Sequence, residues 1–290
     1  MSTPLTTKLQ LAPLPGPLVT KSVADALAED LGLAGDVTTN ATVPAEAMAH
    51  ALLKARAAGT VAGVRVGEAT FKALDPSILF DVRIADGDRA EAGDTIAEIS
   101  GNARTVLTGE RVALNFMGRM SGIATLTRRY VNAVAGTKAS IVDTRKTTPL
   151  LRAFEKFAVR CGGGQNHRVG LFDAVLIKDN HIVAAGGIEN AVAAARRHAG
   201  HMVKIEVEVD TLEQLAAVLK HDVDAVLLDN MTPDTLKTAV AMVDGRALTE
   251  ASGGVNLETV RAIAEAGVDL ISIGALTHSA PVLDLGLDFI

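Results

Sequence analysis

Between Asp143 and His181 the chain reads DTRKTTPLLRAFEKFAVRCGGGQNHRVGLFDAVLIKDNH. Arg145, Lys146, Arg152, Lys156, Arg160, Arg168 and Lys178 fall in this stretch with His167 and His181, against four acids. The segment carries net +3, while the rest of a chain whose total is −6 carries −9. Arginine matches a carboxylate or phosphate through two parallel hydrogen bonds, and lysine adds a compact charge. A cationic island in an acidic chain therefore suits a local anionic ligand better than a polyanion spread over the surface. Arg145-Lys146 alone is equally well a solvated pair at a strand end. With Asn166-His167-Arg168 and Lys178 close by in sequence, the ligand-binding reading is favoured.

Acidic and glycine-rich positions recur downstream. Glu208 and Asp229 each end an apolar run. They suit ribose hydroxyls, a metal–pyrophosphate or a developing positive charge, and equally well serve as partners of the cations. Glu206 shares a strand face with Glu208, and either is the functional one. Ser252-Gly253-Gly254 and Gly274-Ala275-Leu276 fit a late phosphate site made of backbone N–H groups. The Gly162–Gly164 run allows close approach of a ligand or loop, or is a flexible loop. Arg152 and Lys156, four apart, read as helix-surface charges on one face. His167 and His181 lack metal-ligand spacing, and without HExxH or CxxC no zinc site is expected. Cys161 reads as packed rather than nucleophilic.

These residues need elements to hold them. Residues 1 to about 20 read as an irregular arm. A helix is expected over 22–33 with Ser22 as its cap, then a turn at Gly35–Thr39. Residues 49–100 read as short strands around one helix, a small α+β unit. Residues 104–134 read as a long helix with a possible break at Ser121-Gly122, placing Glu110 and Arg111 as surface charges of its early turns. Thereafter apolar runs end at Lys146, Lys178, Glu208–Asp210, Asp229, Ser252 and Gly274, with helical segments between them. Such alternation predicts a parallel sheet covered by helices, closed or nearly closed into a β/α barrel. In such a barrel the site lies at the carboxyl ends of the strands, where these polar residues fall.

Composition narrows the class. At 290 residues and 48% hydrophobic, with no Trp and one Tyr, the chain suits Ala/Val/Leu/Ile-rich helix–sheet layers. No apolar run approaches the roughly 20 residues of a membrane span. The first residues lack the pattern of a signal peptide. One cysteine permits no internal disulfide and fits a reducing compartment, so a cytoplasmic location is expected. A pI near 5.7 argues against general nucleic-acid binding.

Long ordered stretches resemble the quinolinate phosphoribosyltransferases. They are GDVTT, LTGERVALNFMGRMSGIATLT, DTRKTTP, CGGGQNHRVGLFDAVLIKDNH, EVEVD, LLDN, SGG, GALTHS and LDLGLDF. The resemblance implies an α/β fold: an N-terminal α/β sandwich over 1–115, then an open, TIM-like β/α barrel over 116–280. Apart from the resemblance, the apolar spacing of the tail 281–290 permits it to pack back on the first domain. It implies transfer of phosphoribosyl from phosphoribosyl pyrophosphate to quinolinate with decarboxylation, in NAD synthesis. Thr144, Arg145, Lys146, His167 and Arg168 would hold the quinolinate carboxylates. Lys178, Glu208 and Asp229 would face the donor, and Ser252, Gly253, Gly274 and Ala275 its 5′-phosphate. Lys146, Lys178, Glu208 and Asp229 would be the catalytic group. Mg²⁺ would arrive mainly with the pyrophosphate. A homodimer is implied in which Arg111 completes the neighbouring subunit's site. Three alternatives stay open: a related transferase with another acceptor, an aldolase-like barrel using Lys178 as a Schiff-base amine, and a non-catalytic phosphosugar-binding protein.

Overall fold

The computed structural model describes residues 11–290. It divides into two compact units, one running to Gly122 and including Val282–Ile290, the other Ile123–Pro281.

The first unit starts with α1 (Gly16–Leu31), earlier than the expected Ser22 cap because Pro17 fits the first turn of a helix. Val19, Val23 and Leu27, four apart, form its buried stripe. The expected turn at Gly35–Thr39 leads instead into a short helix, α2 (Val37–Thr42). The Asp36 side chain accepts the Thr39 N–H at 2.9 Å and caps it. Next come β1 (Met48–Ala55), β2 (Gly59–Thr60), α3 (Val64–Leu74), β3 (Leu79–Val82), β4 (Arg89–Ala90) and β5 (Thr95–Asn102). Strands β1, β5 and β3 pair antiparallel, and β2 pairs with β4. One face of the sheet buries Leu53, Ile99, Phe71 and Met117 in an apolar cluster.

Helix α4 (Ala103–Ala133) is unbroken. The long helix expected here runs through Ser121 and Gly122, which are buried and supported: Ser121 Oγ accepts the Ala62 N–H at 2.9 Å and donates to the Ala62 carbonyl at 3.1 Å. The first unit extends past the expected boundary at 115, since Met117 and Met120 occupy the space left by the absent side chains of Gly67 and Gly63.

The second unit alternates strand and helix. Its elements are β6 (Ser140–Val142), α5 (Arg152–Cys161), β7 (Val175–Ile177), α6 (Asp179–Ala185), α7 (Ile188–His198), β8 (Ile205–Val209) and α8 (Leu212–Val218). β9 (Ala225–Asp229), α9 (Pro233–Val243), β10 (Leu248–Ser252), α10 (Val260–Glu265), β11 (Leu270–Ser272) and α11 (Ala275–His278) complete it. The six strands are parallel in the order β6-β11-β10-β9-β8-β7. The first strand thus lies beside the last, and the sheet curls round but stays open between β6 and β7, where a single bridge joins Val142 to Gln165. This is the open β/α barrel. The closing strand β12 (Leu285–Phe289) returns to the first unit and pairs antiparallel with β1, Leu53 opposite Leu287.

The glycine run is explained by packing. A Cβ on Gly162 would lie 2.5 Å from the Ala124 carbonyl oxygen, and one on Gly164 would lie 2.9 Å from Thr127 and Val159. Gly163 adds a φ of +89°, which glycine adopts without strain. The bare backbone admits a helix, not a ligand.

Candidate active site

Successive residues of a strand face opposite ways, so a barrel strand sends alternate side chains inward. In the parallel register Glu208 is paired with Leu227, Glu250 with Leu227, and Ser252 with Asp229. Glu208, Asp229 and Ser252 accordingly meet at the carboxyl end of the barrel. A cavity of about 370 Å³ opens there, lined by Thr144, Arg145, Lys146, His167, Arg168, Lys178, Glu208, Asp229 and Ser252. Leu176, Leu227, Glu250 and Ser272 complete its wall.

The loop after β6 supplies the first cations. Thr144 Oγ1 accepts the Lys146 N–H at 3.0 Å, and Thr277 Oγ1 donates to the Lys146 carbonyl at 2.7 Å. Gly274 leaves room for the Lys146 stem, because a Cβ there would sit 2.9 Å from Lys146 Cδ. Arg145 Nε is buried and has no hydrogen-bond partner among the described residues. Arg168 donates to the Ala174 carbonyl at 3.1 Å. Burial, then the neighbouring Arg145, lowers the pKa of the Arg168 guanidinium. Two arginines held this close invite an anion between them.

Lys178 caps α6 and ion-pairs with Glu208, while its backbone N–H donates to His181 Nδ1 at 3.0 Å. His181 is therefore a local support. Asp229 is steadied by Asn230, whose Nδ2 donates to its carboxylate at 2.7 Å. Asn230 has φ +53°, and its backbone N–H donates to the Ser252 carbonyl at 2.9 Å. Gly253, at φ +91°, lies where a side chain would collide with Asn230.

Beneath the cavity lies a layer of buried charge. Lys156, expected on a helix surface, is 3% exposed and pairs with the fully buried Asp143. Burial pushes the Asp143 carboxyl up and the Lys156 ammonium down, each partly restrained by the other. Asn166 Nδ2 also donates to Asp143, at 2.6 Å, and to the Lys156 carbonyl, at 2.9 Å. Glu206 lies one step below Glu208 on the same strand face, which separates the two acids: Glu208 lines the cavity and Glu206 meets His167 at 2.9 Å. Glu250 stands 3.6 Å from the same imidazole. Burial, reinforced by Glu206, raises the Glu250 pKa to about 7. Burial opposes charge on His167, yet the two carboxylates outweigh it and lift its pKa above the ordinary histidine value.

Gly253, Gly274 and Ala275 adjoin the cavity without lining it, and Arg111 is an exposed residue of α4 in the first unit. Sequence reasoning passed over Glu250 and Ser272. The signal for Glu250 was its place two residues before Ser252, hence on the same strand face.

A cation-rich cavity at the carboxyl ends of an open β/α barrel defines a class, the barrel enzymes that hold anionic substrates. The model of the quinolinate phosphoribosyl transferase C-terminal domain matches residues 123–288, and that of the N-terminal domain matches 36–121. The chain is 45% identical to a probable nicotinate-nucleotide pyrophosphorylase (carboxylating) of Bacillus subtilis, over 90% of this chain and 89% of that protein. It is 46% identical to the nicotinate-nucleotide pyrophosphorylase (carboxylating) of Mycobacterium leprae, over 92% and 95%. The crystal structure of NadC from Streptococcus pyogenes superposes with a TM-score of 0.92 at 40% identity, covering 96% of this chain and 99% of that one. The chain belongs to the quinolinate phosphoribosyl transferase family, whose members are decarboxylating pentosyltransferases.

Proposed function

We propose that this protein transfers the phosphoribosyl group of phosphoribosyl pyrophosphate to quinolinate, releasing pyrophosphate and CO₂ and forming nicotinate mononucleotide in NAD synthesis. The observation that carries the site assignment is the gathering of Arg145, Lys146, Arg168 and Lys178 in one cavity of an acidic chain. Both substrates are polyanions, and their mutual repulsion is the first obstacle to reaction. Arg145, Lys146 and Arg168, which line the cavity, hold the quinolinate carboxylates. Ser252, with Gly253, Gly274 and Ala275 beside it, receives the 5′-phosphate.

The pyridine nitrogen attacks C1′ of the ribose as pyrophosphate departs. Positive charge grows on the ribose ring, and Glu208 and Asp229 stabilise it from fixed positions. Lys178 keeps Glu208 in place through their ion pair. As CO₂ departs, the electron pair of the broken C–C bond stays on the ring carbon, where the positive charge of the adjacent quaternary nitrogen stabilises it, and that carbon then takes up a proton. No protein nucleophile is needed, and alignment of the two anions supplies most of the catalysis. Mg²⁺ neutralises pyrophosphate when bound. Asp229, a half-buried carboxylate at the cavity wall, fits such an ion, which keeps much of its water and needs few protein ligands.

The working unit in this reading is a homodimer in which the exposed Arg111 reaches the partner's barrel. No helix among the described residues is long and apolar enough to cross a membrane, and a single buried cysteine supports a cytoplasmic location.

The reaction is tested by incubating the protein with quinolinate, phosphoribosyl pyrophosphate and Mg²⁺. Equal yields of nicotinate mononucleotide and CO₂ are expected. Pyrophosphate release without nucleotide would mean a different acceptor. Mixing Arg111→Ala subunits with Lys146→Ala subunits tests the dimer: activity should return in the hybrid, and none after verified exchange would rule out a shared site.

A further inference from the structure

His167 faces the cavity and, by its type, invites assignment as a donor to a substrate carboxylate. Its hydrogen bonds point elsewhere. The backbone N–H donates to Asp143 at 2.9 Å, and the carbonyl accepts from Lys156 Nζ at 3.0 Å. Ring Nδ1 accepts the backbone N–H of Arg168 at 2.8 Å, and Nε2 meets a Glu206 oxygen at 2.9 Å. An amide N–H can only donate, so Nδ1 carries a lone pair and the ring proton sits on Nε2, given to Glu206. A second proton could enter at Nδ1 only by displacing the Arg168 amide. Every polar atom of the residue is thus engaged within the protein, and none is left for a ligand.

The same assignment disposes of a metal. His167, Glu206 and Glu250 offer donor atoms within 4.8 Å of one another, spacing that suits a small cation. A histidine ligand needs a lone pair facing the ion, and here Nε2 is protonated while Nδ1 serves Arg168.

We propose that His167 is a positioning residue for Arg168, and that Glu206, through His167, sets the arginine's place from beneath the site. Glu206 accepts Nε2–H and so fixes the ring, and the ring fixes the Arg168 amide. The Arg168 guanidinium, tied to the Ala174 carbonyl, then faces the cavity from a held backbone. His167, Arg168 and Glu250 also border a second cavity of about 410 Å³, lined by Val175, Lys204, Ala225 and Leu270. These residues open or precede their strands, so the layer forms a partition at the base of the site. A partition is the right place from which to fix a carboxylate-binding arginine without spending one of the cavity's cations.

This inference rests on quinolinate being the acceptor, and the test separates the two. Wild type, Glu206→Ala, His167→Ala and the double variant are titrated calorimetrically with quinolinate, and KM is measured for quinolinate and for phosphoribosyl pyrophosphate. Glu206→Ala should weaken quinolinate on the order of tenfold, the scale of one lost hydrogen bond to a charged group, with the donor's KM unmoved. His167→Ala should lose a similar factor, and the double variant no more than His167→Ala alone, because one residue acts through the other. Glu206→Gln should recover most of the affinity, since its amide oxygen still accepts Nε2–H. Additive losses, unchanged quinolinate affinity in folded Glu206→Ala, or an equal rise in the donor's KM would overturn the proposal. If Glu206→Ala does not fold, the cycle is run with the volume-conserving Glu206→Met. Wild type that binds quinolinate without turning it over defeats the reaction while these ratios still decide the positioning; wild type that does not bind it defeats both.

Discussion

The unit ending at Gly122 and the barrel unit bury different kinds of polar side chain. Among the described residues, the first buries Thr39, Thr60, Thr70 and Ser121, all uncharged. The second also buries the uncharged Thr127, Thr249, Ser272 and Thr277, but adds Asp143, Glu155, Lys156, Glu206 and Glu250. A sheet that only has to hold together is best stabilised by apolar transfer, and Leu53, Ile96 and Ile99 supply it. A barrel that must present cations to anions needs charge at its centre, and desolvated charge persists only when paired and hydrogen-bonded. The contrast shows which unit is free to be merely stable.

The largest test of this contrast removes one partner of the buried pair. Lys156→Ala leaves the Asp143 carboxyl dry and without its lysine, and should cost about 3–5 kcal/mol of stability in denaturant unfolding; a loss below that of a surface substitution would mean the pair is not truly buried. Leu53→Ala in the first unit should cost about 2–5 kcal/mol through the cavity it leaves, while the KM for quinolinate stays at the wild-type value. A matching rise in that KM would show the units are not separable in this way. Arg168→Ala reverses the pattern. Quinolinate affinity should fall on the order of a hundredfold, about 2.8 kcal/mol, with an unchanged thermal midpoint.

The remaining test is a pH slope. The Glu250 carboxyl stands at about 7 in the folded chain against 4.5 as its ordinary value. The folded state keeps a proton that the unfolded state has released, so this group's contribution falls as pH rises between those values and then levels off. Glu250→Gln cannot ionise and should therefore gain on the wild type between pH 5 and pH 8. A constant difference between the two proteins would place the titration elsewhere.

The barrel was legible because each apolar run ended in polar residues, and a strand's period of two assigns faces without further information. Nine predicted residues from Thr144 to Ser252 line one cavity for that reason. What stayed hidden depended on depth. Lys156 sits in LLRAFEKFAVR, where Phe154, Phe157 and Ala158 already announce a buried face, yet a lysine reads as solvated unless its partner is known. Asp143 is that partner, thirteen residues earlier and on another element. Glu206 and Glu208 were indistinguishable in sequence because they share a face, and only the third dimension puts one above the other. The start of α1 was misplaced for a local reason, since proline reads as a breaker where it also serves as an opener.

Strand β12 pairs Leu285 with Ala55 and Phe289 with Ala51, residues separated by almost the whole chain. During synthesis the ribosome would release the barrel's segment before the last strand of the first unit's sheet exists. The edge of β1 would stay open throughout that interval, with its amides and carbonyls available to any extended chain nearby. The unit begun first is the one completed last.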